Sequence, residues 1–263
     1  MNNICKVFND CSNDILNWLS KQPEVKEESM TDRFLFDISE KLPIVKYKQF
    51  TRMEEGRKTG ADWEWWFLFP NDQAFCARVQ AKKLKNNKDN YAGIAYTTNG
   101  MLQIERLIED SDKNGYASFY AFYSTESSQF TLCGGRVGNE GVFIADAEKL
   151  KSEIIDKPRT SYLASNILQF SNPISCLFCC PMTNDGRQNG LREYFKRYFP
   201  TIYNKRTNNN SDYPQGIVKT PDKILQFLNS ESDQFWESEY RNSIENVNAI
   251  LVIDMRNNEK NGR

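Results

Sequence analysis

Apolar and polar positions change period several times along the chain, and each period predicts an element. Residues 2–20 place Ile4, Val7, Phe8, Cys11, Ile15, Leu16 and Leu19 at the three- and four-residue spacing of an amphipathic helix. KQPEVKEES breaks that period. A second helix is expected from Ser29 or Thr31, either of which could cap it, through Phe34, Leu35, Ile38 and Leu42 to Pro43. IVKYKQFTR (44–52), DWEWWFLF (62–69) and AFCARVQAKKL (74–84) read as extended, β-prone runs, the last two joined by the turn residues PNDQ. Their order predicts a three-stranded meander after the helices.

NGMLQIERLIED (99–110) reads as a helix with Asn99 near its start, and YASFYAFYS (116–124) as a buried aromatic strand. A helix crossing between strands is the unit of a mixed α/β sheet. Further on, GVFIADAEKLKSEII (141–155) reads as a strand entering a helix, and LREYFKRYF (191–199) as a helix mixing basic and aromatic residues. TPDKILQFLNS predicts a helix with Thr220 as cap and Pro221 first, and AILVID (249–254) has the unbroken apolar character of a buried strand. The fold class expected is α/β, a central mixed β-sheet flanked by helices. An N-terminal helix occupies 1–26, a core 27–155, a C-terminal α/β elaboration of the same domain 156–255, and a disordered tail 256–263.

Composition narrows the chemistry. With 26% charged residues, a negative mean hydropathy and no apolar run near 18–20 residues, the chain does not read as a membrane protein, and MNNICKVFNDCSND lacks the pattern of a signal peptide. Cytoplasm is the expected location. Seven cysteines, an odd number, predict reduced thiols rather than a disulfide framework. SCLFCCP holds one CxxC, but a tetrahedral zinc needs a fourth ligand, and buried apolar thiols are the simpler account. There is no histidine, which removes Ser-His-Asp and Cys-His mechanisms and His-ligated zinc. Hydrolytic chemistry must then rest on carboxylates, lysine and a hard metal. A net charge of −1 gives no global basic field, so nucleic-acid contact would depend on local patches.

One constellation stands out. Gln80 and Lys82 share a strand face by alternation, and a turn near Asn71 and Asp72 puts Asp62 opposite residues 80–82. One register brings Asp62 onto their face, and its neighbour turns it away. Simpler accounts exist: an Asp after Gly-Ala is a common turn residue, and QxK at a strand end is a common solvated terminus.

An Asp opening a strand, a hairpin, and a second strand ending in (D/E/Q)xK resemble the core of the PD-(D/E)XK nuclease superfamily. VQAK is similar to the Gln variant of Mrr-type restriction endonucleases, and GADWEWWF followed by QAKKL resembles a bacterial family assigned to this fold. The resemblance spans roughly residues 27–125 and implies a restriction-endonuclease-like core. It implies catalytic roles for Asp62, Gln80, Lys82 and Glu28, with Mg²⁺ (or Mn²⁺) held by Asp62, Glu28 and the Gln80 carbonyl oxygen. Glu27 and Asp32 are alternatives for the helix acid, though carboxylates near a helix start are also favoured by its dipole. Lys82 would hold the attacking water and offset charge on the phosphate. With Gln80 in place of an acid, metal affinity is expected to be weak until the substrate phosphate adds a ligand.

Glu55 reads as a second carboxylate or a charged loop residue, Glu64 as an auxiliary ligand or half of an ion pair, and Gln103 as a site-facing amide or a helix-surface one. Of Trp63, Trp65 and Trp66, some must be core, while one at the surface could stack on a base; Tyr120 and Tyr123 read as sheet core. Candidate phosphate contacts are Lys82, Lys83, Lys85 and Lys88, and separately Arg192, Lys196, Arg197, Lys205 and Arg206, though charge runs are usually solvated faces. The resemblance thus implies a metal-dependent endonuclease on DNA in defence against foreign DNA, with a protein partner or signal as activator and no membrane role. Two rivals are a degenerate binding module on the same scaffold and a metal-free RNA-cleaving toxin, the latter short of a general base.

Overall fold

The computed structural model describes residues 3–50, 59–85, 89–125, 131–133, 140–157, 162–183, 188–204, 216–230 and 247–256. Glu55, Lys88, Lys205, Arg206 and the tail from 257 lie outside these residues. Two helices, α1 (Asn3–Lys21) and α2 (Glu27–Lys41), lead into strand β1 (Val45–Gln49). The hairpin β2 (Trp63–Phe69) and β3 (Gln73–Lys83) follows, its turn held by Asn71 and Asp72 at positive φ. A small hairpin, β4 (Thr97–Thr98) and β5 (Met101–Leu102), opens α3 (Gln103–Asn114), which crosses to β6 (Ala117–Tyr123).

Beyond these come β7 (Val142–Asp146), α4 (Ala147–Leu150) with a π turn over Lys151–Ile155, α5 (Ala164–Leu168), β8 (Ser171–Pro173) and α6 (Cys176–Cys179). The last elements are α7 (Gln188–Tyr198), α8 (Pro200–Asn204), β9 (Ile217–Lys219), α9 (Asp222–Asn229) and β10 (Ala249–Asp254).

Among the described residues, eight strands form one mixed sheet in the order β1-β10-β2-β3-β6-β7-β8, with β9 beside the start of β3. β10 lies parallel to β2 and antiparallel to β1, and β3 lies parallel to β6. The protein is therefore α/β, a central mixed sheet flanked by helices. Side-chain alternation divides the core in two. Trp63, Trp65, Phe67, Phe75 and Phe119 pack with Phe8 of α1, Phe34 of α2, Phe178 of α6 and Phe195 of α7. On the other face Trp66, Tyr120, Phe122 and Val252 pack with Ile104 and Leu107 of α3, Leu150 of α4 and Phe227 of α9. No helix among the described residues is long and apolar enough to cross a membrane.

Five expectations are corrected. The three-stranded meander does not form, because β10, from near the end of the sequence, inserts between β1 and β2. Its six apolar-rich residues gain burial on both sides there, which a local reading cannot see. The second helix begins at Glu27, not at Ser29 or Thr31; Thr31 sits inside it, its hydroxyl donating back to the Glu27 carbonyl at 3.2 Å. Asn99 is no helix start: with Gly100 it turns the β4-β5 hairpin, both at positive φ, and the helix begins four residues later. Likewise Pro221, not Thr220, is the cap residue of α9. Finally, the thiols are not all reduced, since packing of α1 against α6 brings Cys5 and Cys179 into a disulfide with Cα atoms 4.8 Å apart.

α1 meets the sheet at Gly141. Ser12 Oγ accepts from the N–H groups of Gly141 and Val142, each at 3.0 Å. A Cβ on Gly141 would collide with the Leu16 backbone and lie 2.7 Å from the Ser12 carbonyl oxygen. Gly141→Ala is expected to cost about 1–3 kcal/mol, the range for forced overpacking. A thermal melt superimposable on wild type would refute this docking.

Candidate functional site

The site is built where β2 begins and β3 ends. The pairing of Trp63 with Val79 makes Asp62 and Gln80 the next facing couple, so they share one face with Lys82 two residues on. Of the two registers open to the sequence, the structure adopts the one that gathers them. Gln80 Nε2 donates to Asp62 Oδ2 at 2.6 Å, and the Ala81 N–H donates to the same oxygen at 2.7 Å. Gln103, the first residue of α3, donates from Nε2 to Gln80 Oε1 at 2.5 Å. Its side chain therefore faces the cluster.

From the other side comes the first residue of α2. Glu27 Oε1 lies 3.7 Å from Lys82 Nζ, and Glu27 Oε2 accepts from the Lys83 N–H at 2.7 Å. Two helix N-termini thus converge on one end of the sheet, where their dipoles favour negative charge. Glu27, rather than Glu28, is the helix acid joined to the lysine. Glu28 and Asp32 line the adjoining cleft with Thr31, Gln49, Phe50, Asp62 and Asn248, and Asp32 Oδ1 accepts from Tyr47 Oη at 3.5 Å.

The sequence profile of a family of unknown function, DUF6615, matches residues 4–259. The chain belongs to that family. No curated protein matches it.

Electrostatics set the state of the cluster in this DUF6615 chain. Burial pushes the Asp62 carboxyl up from 3.8 to about 7, with Glu27 and Glu28 adding to the rise while Lys82 and the Ala81 N–H oppose it. Burial likewise raises Glu27, against the pull of Lys82 and the Lys83 N–H. Gln80 and Lys82 are both buried, and Gly93 backs onto the aliphatic stem of Lys82, where an added Cβ would lie 3.4 Å from Cδ. Gln103 Oε1 and Tyr120 Oη are buried without a hydrogen-bond partner. Among the described residues, no three His, Cys, Asp or Glu side chains stand close enough to form a ready-made cation cage.

Other sequence candidates fall elsewhere. Glu64 is held in the core, accepting from Arg78 Nη2 at 3.1 Å and from Trp66 Nε1 at 3.1 Å, while Arg78 also pairs with Asp110. Of the two readings, the structure shows the ion pair: an interior guanidinium takes up its charge. Trp63, Trp65 and Trp66 are all buried, so none offers a stacking surface, and Tyr120 and Tyr123 are core as read. Lys83 Nζ donates to the Pro23 and Val25 carbonyls at 2.6 and 2.8 Å, tying the α1–α2 connection to β3 instead of reaching outward. Lys85 is exposed just beyond.

Arg192 donates to Gln73 at 3.0 Å, at the opposite end of β3. At about 3.3 Å per residue the strand separates Gln73 from Lys82 by roughly 30 Å, so Arg192, and Lys196 and Arg197 on the same helix, form no part of this cluster. The sequence reading missed Asn248 and Phe50. Asn248 donates its N–H to the Asp62 carbonyl at 2.9 Å and accepts from the Phe50 N–H at 2.8 Å. Nothing local marks residue 248, since only the β10 insertion brings it here.

The Asp62 shift has a sign that can be tested. The native carboxyl holds its proton to about 7 and the unfolded one only to 3.8, so the native state binds more protons and stability falls as pH rises through that window. In EDTA, Asp62→Asn is expected to raise the melting temperature at pH 8, with the gain fading towards pH 4. A gain that grows on acidification would contradict the burial argument.

Proposed function

We propose that this chain is a metal-dependent nuclease with a restriction-endonuclease-like core that hydrolyses DNA phosphodiester bonds. The observation that carries the reading is the assembly of Asp62, Gln80 and Lys82 on one face, joined through Lys82 to Glu27 from the preceding helix. These are the residue types that metal-assisted phosphodiester hydrolysis needs in a chain without histidine.

The donor set fits a hard cation with few protein ligands. Mg²⁺ commonly takes one or two carboxylates and fills its remaining positions with water and substrate phosphate. Asp62 and Glu27 would supply the carboxylates, with Glu28 at the edge of the same cleft. Gln80 at present turns its amide nitrogen to Asp62 and its oxygen to Gln103. A half-turn of both amides would keep their mutual bond with its direction reversed, engage the unpartnered Gln103 Oε1, and turn Gln80 Oε1 towards Asp62. The turn gives up the 3.0 Å bond from Gln80 Nε2 to the Ala81 carbonyl, and two oxygens facing each other call for a cation or for the proton that Asp62 carries below about 7.

When bound, Mg²⁺ or Mn²⁺ supplies Lewis-acid polarisation of the scissile phosphate. The remaining work falls to the chain. Lys82, buried and held by Glu27 and Gly93, orients the attacking water and offsets charge growing on the phosphoryl oxygens. With neutral Gln80 where an acid would stand, affinity for a free metal is low, so the substrate phosphate completes the set. The resemblance to defence nucleases supports foreign DNA as target and a protein partner or signal as activator.

A binding-module reading has one observation in its favour: the Gln80 amide already satisfies Asp62 without any cation. Cleavage of plasmid and linear DNA with Mg²⁺, Mn²⁺ or EDTA separates the two. Metal-dependent cutting is expected, reduced about 10²–10³-fold by Lys82→Ala with the fold intact by circular dichroism. Glu27→Gln is expected to lose more activity than Glu28→Gln. Absence of cutting with every metal, together with DNA binding unaffected by Lys82→Ala and Asp62→Ala, would favour the binding module.

A further inference from the structure

Five of the seven cysteines meet around α6, away from the candidate catalytic cluster. Cys5 on α1 is joined to Cys179 across 174 residues of sequence. Beside that bond, the Cys176 thiol points at Cys133, with the two sulfurs 3.8 Å apart. Cys133 keeps partial exposure, Cys176 is buried, and Cys180 follows at the end of the same helix. The segment carrying Cys133 is pinned where the Leu132 N–H donates to the Ser171 carbonyl at 2.8 Å, and Thr131 Oγ1 lies 3.6 Å from the Cys133 sulfur. Two thiols in van der Waals contact on anchored backbone need side-chain rotation to reach the ~2.05 Å of a disulfide bond.

We propose that Cys133 and Cys176 are a reversible oxidation site, a dithiol that a low-molecular-mass disulfide of the glutathione class converts into a second disulfide beside Cys5–Cys179. Cys133, the more accessible thiol, attacks one sulfur of oxidised glutathione as the thiolate and expels one glutathione thiolate. Cys176 then gives up its proton and attacks the Cys133 sulfur, expelling the second glutathione. Two electrons pass from the protein to the reagent, and the two thiol protons end on the two glutathiones. The order follows from the surroundings: the hydrogen bond to Cys133, then burial, push the Cys176 thiol far up, so it is the resolving partner. The product ties the segment at 131–133 to α6, and α6 is already tied to α1.

Alkylation under denaturing conditions followed by intact-mass and peptide mapping tests this. Protein purified without reductant is expected to carry five alkylatable thiols. Oxidised glutathione should leave three, with Cys133 linked to Cys176, and a reductant should restore all seven. Cys176→Ser is expected to trap a glutathione adduct on Cys133, whereas Cys133→Ser gives neither the adduct nor the second disulfide. Five thiols persisting after oxidised glutathione, a Cys133–Cys180 linkage instead, or a stoichiometric zinc ion shielding these sulfurs would each overturn the proposal.

Discussion

The pairing of β2 with β3 is the constraint on which the candidate site depends. Trp63 faces Val79, and from that one couple every later alternation follows: Trp63, Trp65 and Phe67 to the α1–α2 side, and Asp62, Gln80 and Lys82 to the other. A slip of one residue would bury the lysine among the tryptophans and exchange the apolar sets that the two faces are shaped to take. The apolar load on both faces makes such a slip prohibitive, so the packing that stabilises the sheet also holds the polar cluster in register. Asn71 and Asp72 at positive φ fix the turn from which that register is counted.

Two carboxylates on one strand show how neighbours decide fate. Glu64 and Asp62 share a face two residues apart, yet Glu64 is neutralised by Arg78 and the Trp66 N–H inside the core. Among the described residues, Asp62, at the strand's start, meets neutral donors, a lysine already engaged with Glu27, and the negative charge of Glu27 and Glu28. Burial without full neutralisation keeps a carboxyl poised near neutrality, which is an arrangement common at functional sites. The same argument separates Lys82 from Lys83, whose ammonium is spent on two backbone carbonyls.

Much of this was legible in the sequence wherever local periodicity governs. Six major runs, α1, β2, β3, β6, β7 and β10, fall close to where the pattern put them, because alternation or helical spacing records burial directly. What could not be read was the partner of each run. The pattern of AILVID says a strand is buried without saying between which neighbours, and Cys5 gives no hint of Cys179. Within the site, the QxK spacing and its opposing Asp were visible. The choice of Glu27 over Glu28 was not, since it turns on where a helix starts, and that start is stabilised by a contact to Lys83 from a distant strand.

The placement of β10 carries a consequence for biosynthesis. The strand lies between two segments made about two hundred residues earlier, and Asn248 at its threshold bonds the Asp62 carbonyl. Until β10 leaves the ribosome, β1 and β2 have no common neighbour and the cleft beside Asp62 lacks one wall. A nascent chain therefore holds its cluster incomplete until roughly two hundred residues beyond β1 have been made. Sequence-distant parallel pairing of this kind is slow to close, which makes completion of the site wait on the longest-range step of the sheet's assembly.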